Sequence, residues 1–356
     1  MPTKTSFLLK IVKRTTVHFS FVRIASYLFE PRMCCISFSP EIMEFLFLDT
    51  LRSQPTWVIL LLSLGLFQVS RLSLSFLRWV YTFFLRPPKH LLDYGRWAIV
   101  TGPTDGIGKA MAFELARQGL SLILVGRNPD KLKLVSAAIQ AELKSVEVVT
   151  VVFDLAGDIP DGVRRLKKAI EKLDVGVLVN NAGVCYDVPK YLHELEEELY
   201  SDLTKVNMES LTEITRAVLP QMMRKKKGAI ANLGSGSVVI LPSYPMFAVY
   251  TATKGYVDTL SRSLHHEYKS IGIDIHCQTP AYAVTKMAPD KRRSFFNSTP
   301  EQYAPPAVRA IGYGSSILPY WRHSMLTYLA KLAPETILNE WFRRYALNRR
   351  AECSST

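Results

Sequence analysis

Tyr250 and Lys254 stand four residues apart in the run Tyr250-Thr251-Ala252-Thr253-Lys254, a spacing that sets both side chains on one face of a helix, one turn apart. A phenol is a poor acid near neutrality, with a free pKa of about 10. A neighbouring ammonium favours the phenolate and eases release of the proton, so the pair is suited to general-acid work. Many solvated helix faces carry the same pair. Two upstream runs give this one a setting: Thr101-Gly102-Pro103-Thr104-Asp105-Gly106-Ile107-Gly108 and Asn180-Asn181-Ala182-Gly183.

The Gly-rich run sits where a phosphate-binding fingerprint needs it. Arg96 to Gly102 reads as a strand and Gly106 to Gly119 as the helix after it. Gly102 would permit the tight turn, Gly106 the close approach of backbone to a pyrophosphate, and Gly108 the packing of helix on strand, with the helix N-terminus facing the anion. Downstream, strands are expected at 121–126, 147–153, 175–180, 228–233 and 273–278, with helices between them. That alternation specifies an α/β fold, a Rossmann-type doubly wound parallel sheet. Its strands, buried on both faces, should read as continuous apolar runs, as Leu122-Ile123-Leu124-Val125 and Val177-Leu178-Val179 do.

Thr-Gly-x-x-x-Gly-x-Gly, Asn-Asn-Ala-Gly and Tyr-x-x-x-Lys, in this order, resemble the short-chain dehydrogenase/reductase family, with the resemblance running from about Arg96 to Pro280. Within it, Thr101 to Lys109, Arg127-Asn128-Pro129-Asp130-Lys131-Leu132-Lys133, Leu241-Pro242-Ser243-Tyr244-Pro245 and Thr285-Lys286-Met287 look like the membrane-bound very-long-chain 3-oxoacyl-CoA reductases of plants. Steroid dehydrogenases share much of the pattern. The resemblance implies hydride delivery to a ketone carbon while Tyr250 protonates the oxygen and Lys254 lowers the Tyr250 pKa and binds the nicotinamide ribose. It also implies that Asn207 helps to hold Lys254 through water. It places Gly102, Thr104, Asp105, Gly106, Ile107, Gly108, Asp154, Asn181, Ala182, Gly183 and Thr285 on the cofactor.

Ser235, at the end of the fifth strand, is where the family's carbonyl-holding serine belongs; Ser237 has the commoner spacing from Tyr250, and both stay open. Asp154 reads equally as a helix N-cap. Pro280-Ala281 replaces the family's Pro-Gly, removing the backbone freedom of glycine beside the cofactor. At the end of the second strand an NAD enzyme usually carries an acid. Here stands Gly126-Arg127-Asn128, and a guanidinium suits a 2′-phosphate, so NADPH is the expected cofactor.

The 356 residues, 48% of them hydrophobic, suffice for one large core and a membrane segment. The net charge of +13 suits an anionic partner; no nucleic-acid motif accompanies it, so a membrane, NADPH and an acyl-CoA or other lipid ketone are the expected partners, with other elongase subunits beside them. Cys34, Cys35, Cys185, Cys277 and Cys353 have no metal spacing and read as reduced thiols; no metal is expected. His265-His266 and Arg224-Lys225-Lys226-Lys227 read as surface or capping groups.

Residues 1–42 form a basic extension, either an organellar transit peptide or an upstream reading-frame extension ahead of Met43. Residues 43–92 form an anchor and linker, 93–290 the catalytic domain, and 291–356 a substrate- or membrane-proximal region. The apolar run from Trp57 to Leu85, interrupted by Arg71 and Arg78, reads as one span with snorkelling arginines, or as a hairpin or interfacial helix. Arg71, Arg78, Arg86 and Lys89 favour a cytosolic catalytic domain on the endoplasmic reticulum membrane. Ile317 to Ala333 is apolar and either lies on the membrane or covers the core.

Overall fold

A computed structural model describes residues 53–287 and 294–354. The N-terminal extension, Met43, Cys34 and Cys35 lie outside the described residues. The chain divides into two units, residues 1–78 and 79–356.

In the first unit helix α1 begins; it runs Thr56–Val80 and buries none of its residues. It continues without a break into a π-helical turn, Tyr81–Leu85, so among the described residues the apolar run is one continuous helix. The run Thr56–Leu85 is long and apolar enough to cross a membrane. At 1.5 Å per residue it exceeds the roughly 30 Å of a bilayer's hydrocarbon.

The second unit is built on seven parallel strands: β1 (Trp97–Thr101), β2 (Ser121–Gly126), β3 (Val148–Val152), β4 (Val175–Asn180), β5 (Gly228–Leu233), β6 (Ile273–Gln278) and β7 (Ser316–Ile317). Their order is β3-β2-β1-β4-β5-β6-β7. All residues of β1, β2, β4, β5 and β6 are buried, whereas the edge strand β3 is partly exposed.

Alternation along the strands divides the core in two. Ala98, Val100, Leu122 and Leu124 face one layer with Met111 and Leu115 of α2 (Gly106–Arg117). Ile99, Ile123, Val125 and Leu178 face the other with Leu166 of α4 (Ile159–Ile170) and Val218 of α6 (Ser210–Lys225). Helix α3 (Pro129–Glu142) adds Leu132, Val135 and Ile139 to the first layer. Each such side chain is worth roughly 1.5–3 kcal/mol when fully buried. Because both faces are covered, the strands had to be uniformly apolar.

The core extends past residue 290. Tyr303, Ala304, Ala307 and Val308, on α9 (Pro300–Arg309), pack into the first layer, and β7 pairs with β6 through Cys277 and Ser316. Strand β7 has two residues, too few to show a period along the chain. The linker after α1 is tied to the sheet at Asp274, which accepts hydrogen bonds from Lys89 Nζ at 2.7 Å and from the Tyr94 hydroxyl at 2.5 Å.

Candidate active site

Strand β1 pairs with β2 on one side and β4 on the other. At this switch point connections leave in opposite directions and open a crevice beyond the strand ends. A cleft of about 570 Å³ lies there, lined by Gly102, Thr104, Asp105, Gly106, Ile107, Arg127, Asp154, Asn181, Ala182, Gly183, Ser235, Tyr250, Lys254 and Thr285. All are expected site residues.

The glycine turn is shaped by geometry that side chains resist. Gly106 has φ +54°, a left-handed value, and a Cβ on Gly108 would lie 2.2 Å from Asn181 Nδ2 and 2.3 Å from the Gly102 carbonyl oxygen. Gly108 therefore lets helix α2 approach the strand ends. Asn181 closes the turn from the other side: its Nδ2 donates to the carbonyls of Thr101 at 3.0 Å and Gly102 at 3.1 Å. Thr101 Oγ1 in turn accepts from the backbone of Asn181 and Ala182, each at 3.0 Å. Asp105 caps α2 by accepting from Gly106 N at 2.8 Å, and its other oxygen meets Lys286 at 2.8 Å.

At the far end of the cleft Arg127 and Lys131 bring two cations beside Asn128. Lys131 escaped the sequence analysis because on the first turn of α3 it reads as a solvated helical charge. Asp154 accepts from Ala156 N at 3.2 Å and does not cap the next helix. Asp158 does so instead, accepting from Asp161 N; it precedes a Pro in the first turn, the stronger start signal.

Tyr250 and Lys254 lie on α8 (Ala248–Tyr268), with α7 the short turn Gly236–Val239 before it. Lys254 is buried, donates from Nζ to the Leu233 carbonyl at 2.9 Å, and burial pulls its pKa down to about 8. Tyr250 departs from expectation. Burial, followed by the nearby Cys185, pushes its pKa above the ordinary value, and only the hydrogen bond with Ser235 acts in the other direction. Lys254 Nζ is aimed at a strand-end carbonyl, and desolvation disfavours its charged form.

The serine pair sorts itself spatially. Ser235 lines the cleft and bonds Tyr250. Ser237 is buried behind it and donates to Ser235 Oγ at 2.9 Å. Asn207 sits in a π-helical turn, Lys205–Glu209, between α5 (Glu197–Thr204) and α6. Its Nδ2 donates to Thr253 Oγ1 at 3.0 Å. A Cβ on Gly183 would lie 3.2 Å from both Asn207 Oδ1 and Lys254 Nζ, so this glycine separates the two. Beneath them Asn180 donates to Asn232 at 2.9 Å and Asn232 to Ser261 at 2.9 Å, a buried polar thread across β4, β5 and α8 that the sequence analysis missed.

Ala281 adopts no positive φ, so the glycine it replaces is not needed for the backbone here. Its N–H is held by Nδ1 of the buried His323 at 3.2 Å, on α10 (Trp321–Ala330). His265 Nδ1 meets the Ile275 carbonyl at 2.9 Å, and Lys225 is engaged with Asp174 and the Tyr94 carbonyl. Among the described residues no cluster of His, Cys, Asp or Glu is placed to hold a metal.

A helix N-terminus at one wall, paired cations at one end and an acid–lysine pair at the other define a nicotinamide-cofactor oxidoreductase cleft. The short chain dehydrogenase model matches residues 96–294, and the chain belongs to that family. It is 41% identical to a very-long-chain 3-oxoacyl-CoA reductase-like protein of Arabidopsis thaliana over 304 residues, 84% of this chain and 97% of the relative. It is 39% identical to the inactive hydroxysteroid dehydrogenase-like protein 1 of Homo sapiens over 267 residues, 72% of this chain and 80% of the relative. Among solved structures, a short-chain dehydrogenase from Sphingobium yanoikuyae in complex with NADPH is 26% identical with a TM-score of 0.55, covering 63% of this chain and 87% of that one.

Proposed function

We propose that this chain is an NADPH-dependent reductase of very-long-chain 3-oxoacyl-CoA, working on the endoplasmic reticulum membrane with its catalytic unit in the cytosol. The observation that carries the reading is the convergence of Ser235, Tyr250 and Lys254 on one cleft whose other end holds Arg127 and Lys131. The 41% identity to the plant reductase-like protein supports the substrate class. The apolar helix and the Arg78, Arg86 and Lys89 that follow its apolar stretch support the membrane and its orientation. Work beside other elongase subunits accords with that substrate.

The residues present fit the cofactor. The N-terminus of α2 and the Gly106 turn would hold the pyrophosphate, Arg127 and Lys131 the 2′-phosphate, and Lys254 the nicotinamide ribose. When bound, the cofactor supplies the hydride. Ser235 holds the ketone oxygen by a hydrogen bond and Tyr250 gives it a proton from the phenol. The high Tyr250 pKa keeps the phenol protonated until the oxygen gains charge. Ser237, donating to Ser235, leaves the Ser235 proton free to point outwards.

The test is NADPH consumption by membranes carrying the full chain, supplied with a long-chain 3-oxoacyl-CoA, with Tyr250→Phe beside it. Activity that disappears in the variant supports the reading. NADPH binding without turnover of acyl-CoA overturns it, and turnover of a steroid ketone in its place would assign the hydroxysteroid alternative. The relative named inactive makes a third outcome concrete: binding with no turnover of either, as expected of a non-catalytic partner.

A further inference from the structure

Helix α10 is built inside out. Its buried residues are His323 and Thr327, one turn apart and 0% and 7% exposed. On the opposite face Tyr328 and Leu329 are 58% and 48% exposed, and Leu332, in the turn that closes the helix, is 68% exposed. Trp321, Tyr328, Leu329 and Leu332 stand at i, i+7, i+8 and i+11 and form one apolar stripe. A helix packed on a core in water shows the reverse arrangement, with its apolar stripe inward and its polar groups outward.

The inward polar groups are provided for. His323 Nδ1 accepts from Ala281 N at 3.2 Å, and Thr327 Oγ1 donates to the His323 carbonyl at 2.9 Å. The outward stripe begins in an aromatic group: the Trp321 ring lies 6.3 Å from those of Trp79 and Phe84 and 5.7 Å from that of Phe295. Trp79 Nε1 also donates to Ser324 Oγ at 3.2 Å. Trp79 and Phe84 stand at the end of the run Thr56–Leu85, which is long and apolar enough to cross a membrane. Packing on that end carries the stripe of α10 to the place where the run leaves a bilayer. Tryptophan and tyrosine are the side chains that collect at this level. Arg322 and Lys331 flank the stripe, and long cations there reach headgroups while their stems stay in apolar surroundings.

We propose that the outward stripe of α10 is a second membrane contact, seated in the headgroup and upper acyl-chain layer of the bilayer that α1 crosses. This rests on the membrane reading of α1 given above. The inner face of the same helix holds the cleft wall at Ala281, and beside Ser235 the Gly236 N–H donates to the Pro280 carbonyl at 2.6 Å. Seating α10 in lipid therefore brings the reacting end of the cleft to the surface where a long acyl chain partitions.

The experiment places an environment-sensitive fluorophore on single cysteines, L329C, L66C on α1 and L134C on α3, in full-length protein carrying C34S, C35S and C353S. Cys185 and Cys277 stay in place, since burial pushes both thiols up to about 12. NADPH binding shows that each labelled protein is folded. In vesicles of phosphatidylcholine and phosphatidylserine, nitroxide lipids labelled near the headgroup should quench the Leu329 label, and those labelled deep in the chain the Leu66 label. The Leu134 label should be quenched by neither. Leu332→Glu, which sets a charge in the stripe, should relieve the quenching at position 329. Quenching at 66 with a water-like, unquenched label at 329 overturns this proposal alone. So does an unquenched label at 329 together with oxidative cross-linking of unlabelled L329C between two molecules, which would make a second copy the occupant. A Leu66 label that escapes quenching overturns the membrane reading of α1 and this proposal together.

Discussion

Asn207 grips both backbone polar atoms of Val184: its Oδ1 accepts from Val184 N at 2.9 Å and its Nδ2 donates to Val184 O at 3.0 Å. The segment leaving β4 past Gly183 is thereby locked to the π-turn, and π-turns often mark functional positions. Asn207 also reaches Thr253, whose hydroxyl donates to the Tyr250 carbonyl at 2.7 Å. One amide thus sets the floor of the cleft and the catalytic helix together.

Asn207→Ala should deprive the part-buried Val184 amide and carbonyl of their partner, at no more than about 1–3 kcal/mol for each group. The expected outcome is a fall in thermal midpoint together with at least a tenfold loss of kcat. A variant with unchanged stability and activity would remove Asn207 from the site's support.

The two serines should separate in kinetics. Ser235→Ala removes the donor to the developing oxyanion, and about 100- to 1000-fold of kcat is the usual loss. Ser237→Ala removes only the group that orients Ser235, and about tenfold is expected. Steady-state kinetics with the 3-oxoacyl-CoA decides; the reverse ranking would reassign the carbonyl to Ser237.

Cofactor choice should depend on Arg127 and Lys131. Neutralising both, R127Q with K131Q, should weaken NADPH by about 100-fold and leave NADH within a few-fold, since charge-assisted bonds are worth roughly 1.5–3 kcal/mol. Dissociation constants for the two cofactors measure this directly. Equal weakening of both would place the cations away from the 2′-phosphate.

With the Lys254 pKa drawn down to about 8, its ammonium is lost as pH rises through that value. The kcat/KM for NADPH should fall correspondingly in a pH-rate profile of the free enzyme. Stability has the opposite sign. The unfolded lysine titrates near 10.4, so between about pH 8 and 10 the unfolded chain binds more protons and this group favours the folded state as pH rises. A profile flat to pH 10 would mean that Lys254 keeps its proton in the site.

The fold was legible where physics imposes a pattern along the chain. Strands β2 and β4 are covered on both faces and could only be apolar runs, and the glycine turn needs its residues in fixed order. What escaped was written across the chain. Asn180 and Asn232 occupy positions where a buried strand normally carries apolar residues, and they are tolerated because Asn180 donates to Asn232 and Thr215, and Asn232 to Ser261. His323 is distant in sequence from Ala281 and becomes its acceptor only through the tertiary fold. The helical spacing of Tyr250 and Lys254 carries no information about burial, which is what raises the Tyr250 pKa.

The order of the strands has a consequence for biogenesis. The cleft draws its walls from β1, β4, β5 and α8, and the loop after β6 is held by His323 far along the chain. Parallel pairing of distant segments is slow because loop closure precedes its reward. A partly synthesised or clipped chain would therefore lack the assembled cleft, and cofactor present in the surroundings would favour only completed molecules, by RT ln(1 + [L]/Kd). Cellular supply of the nucleotide thus becomes a determinant of how much of this protein survives, independently of how fast it turns over.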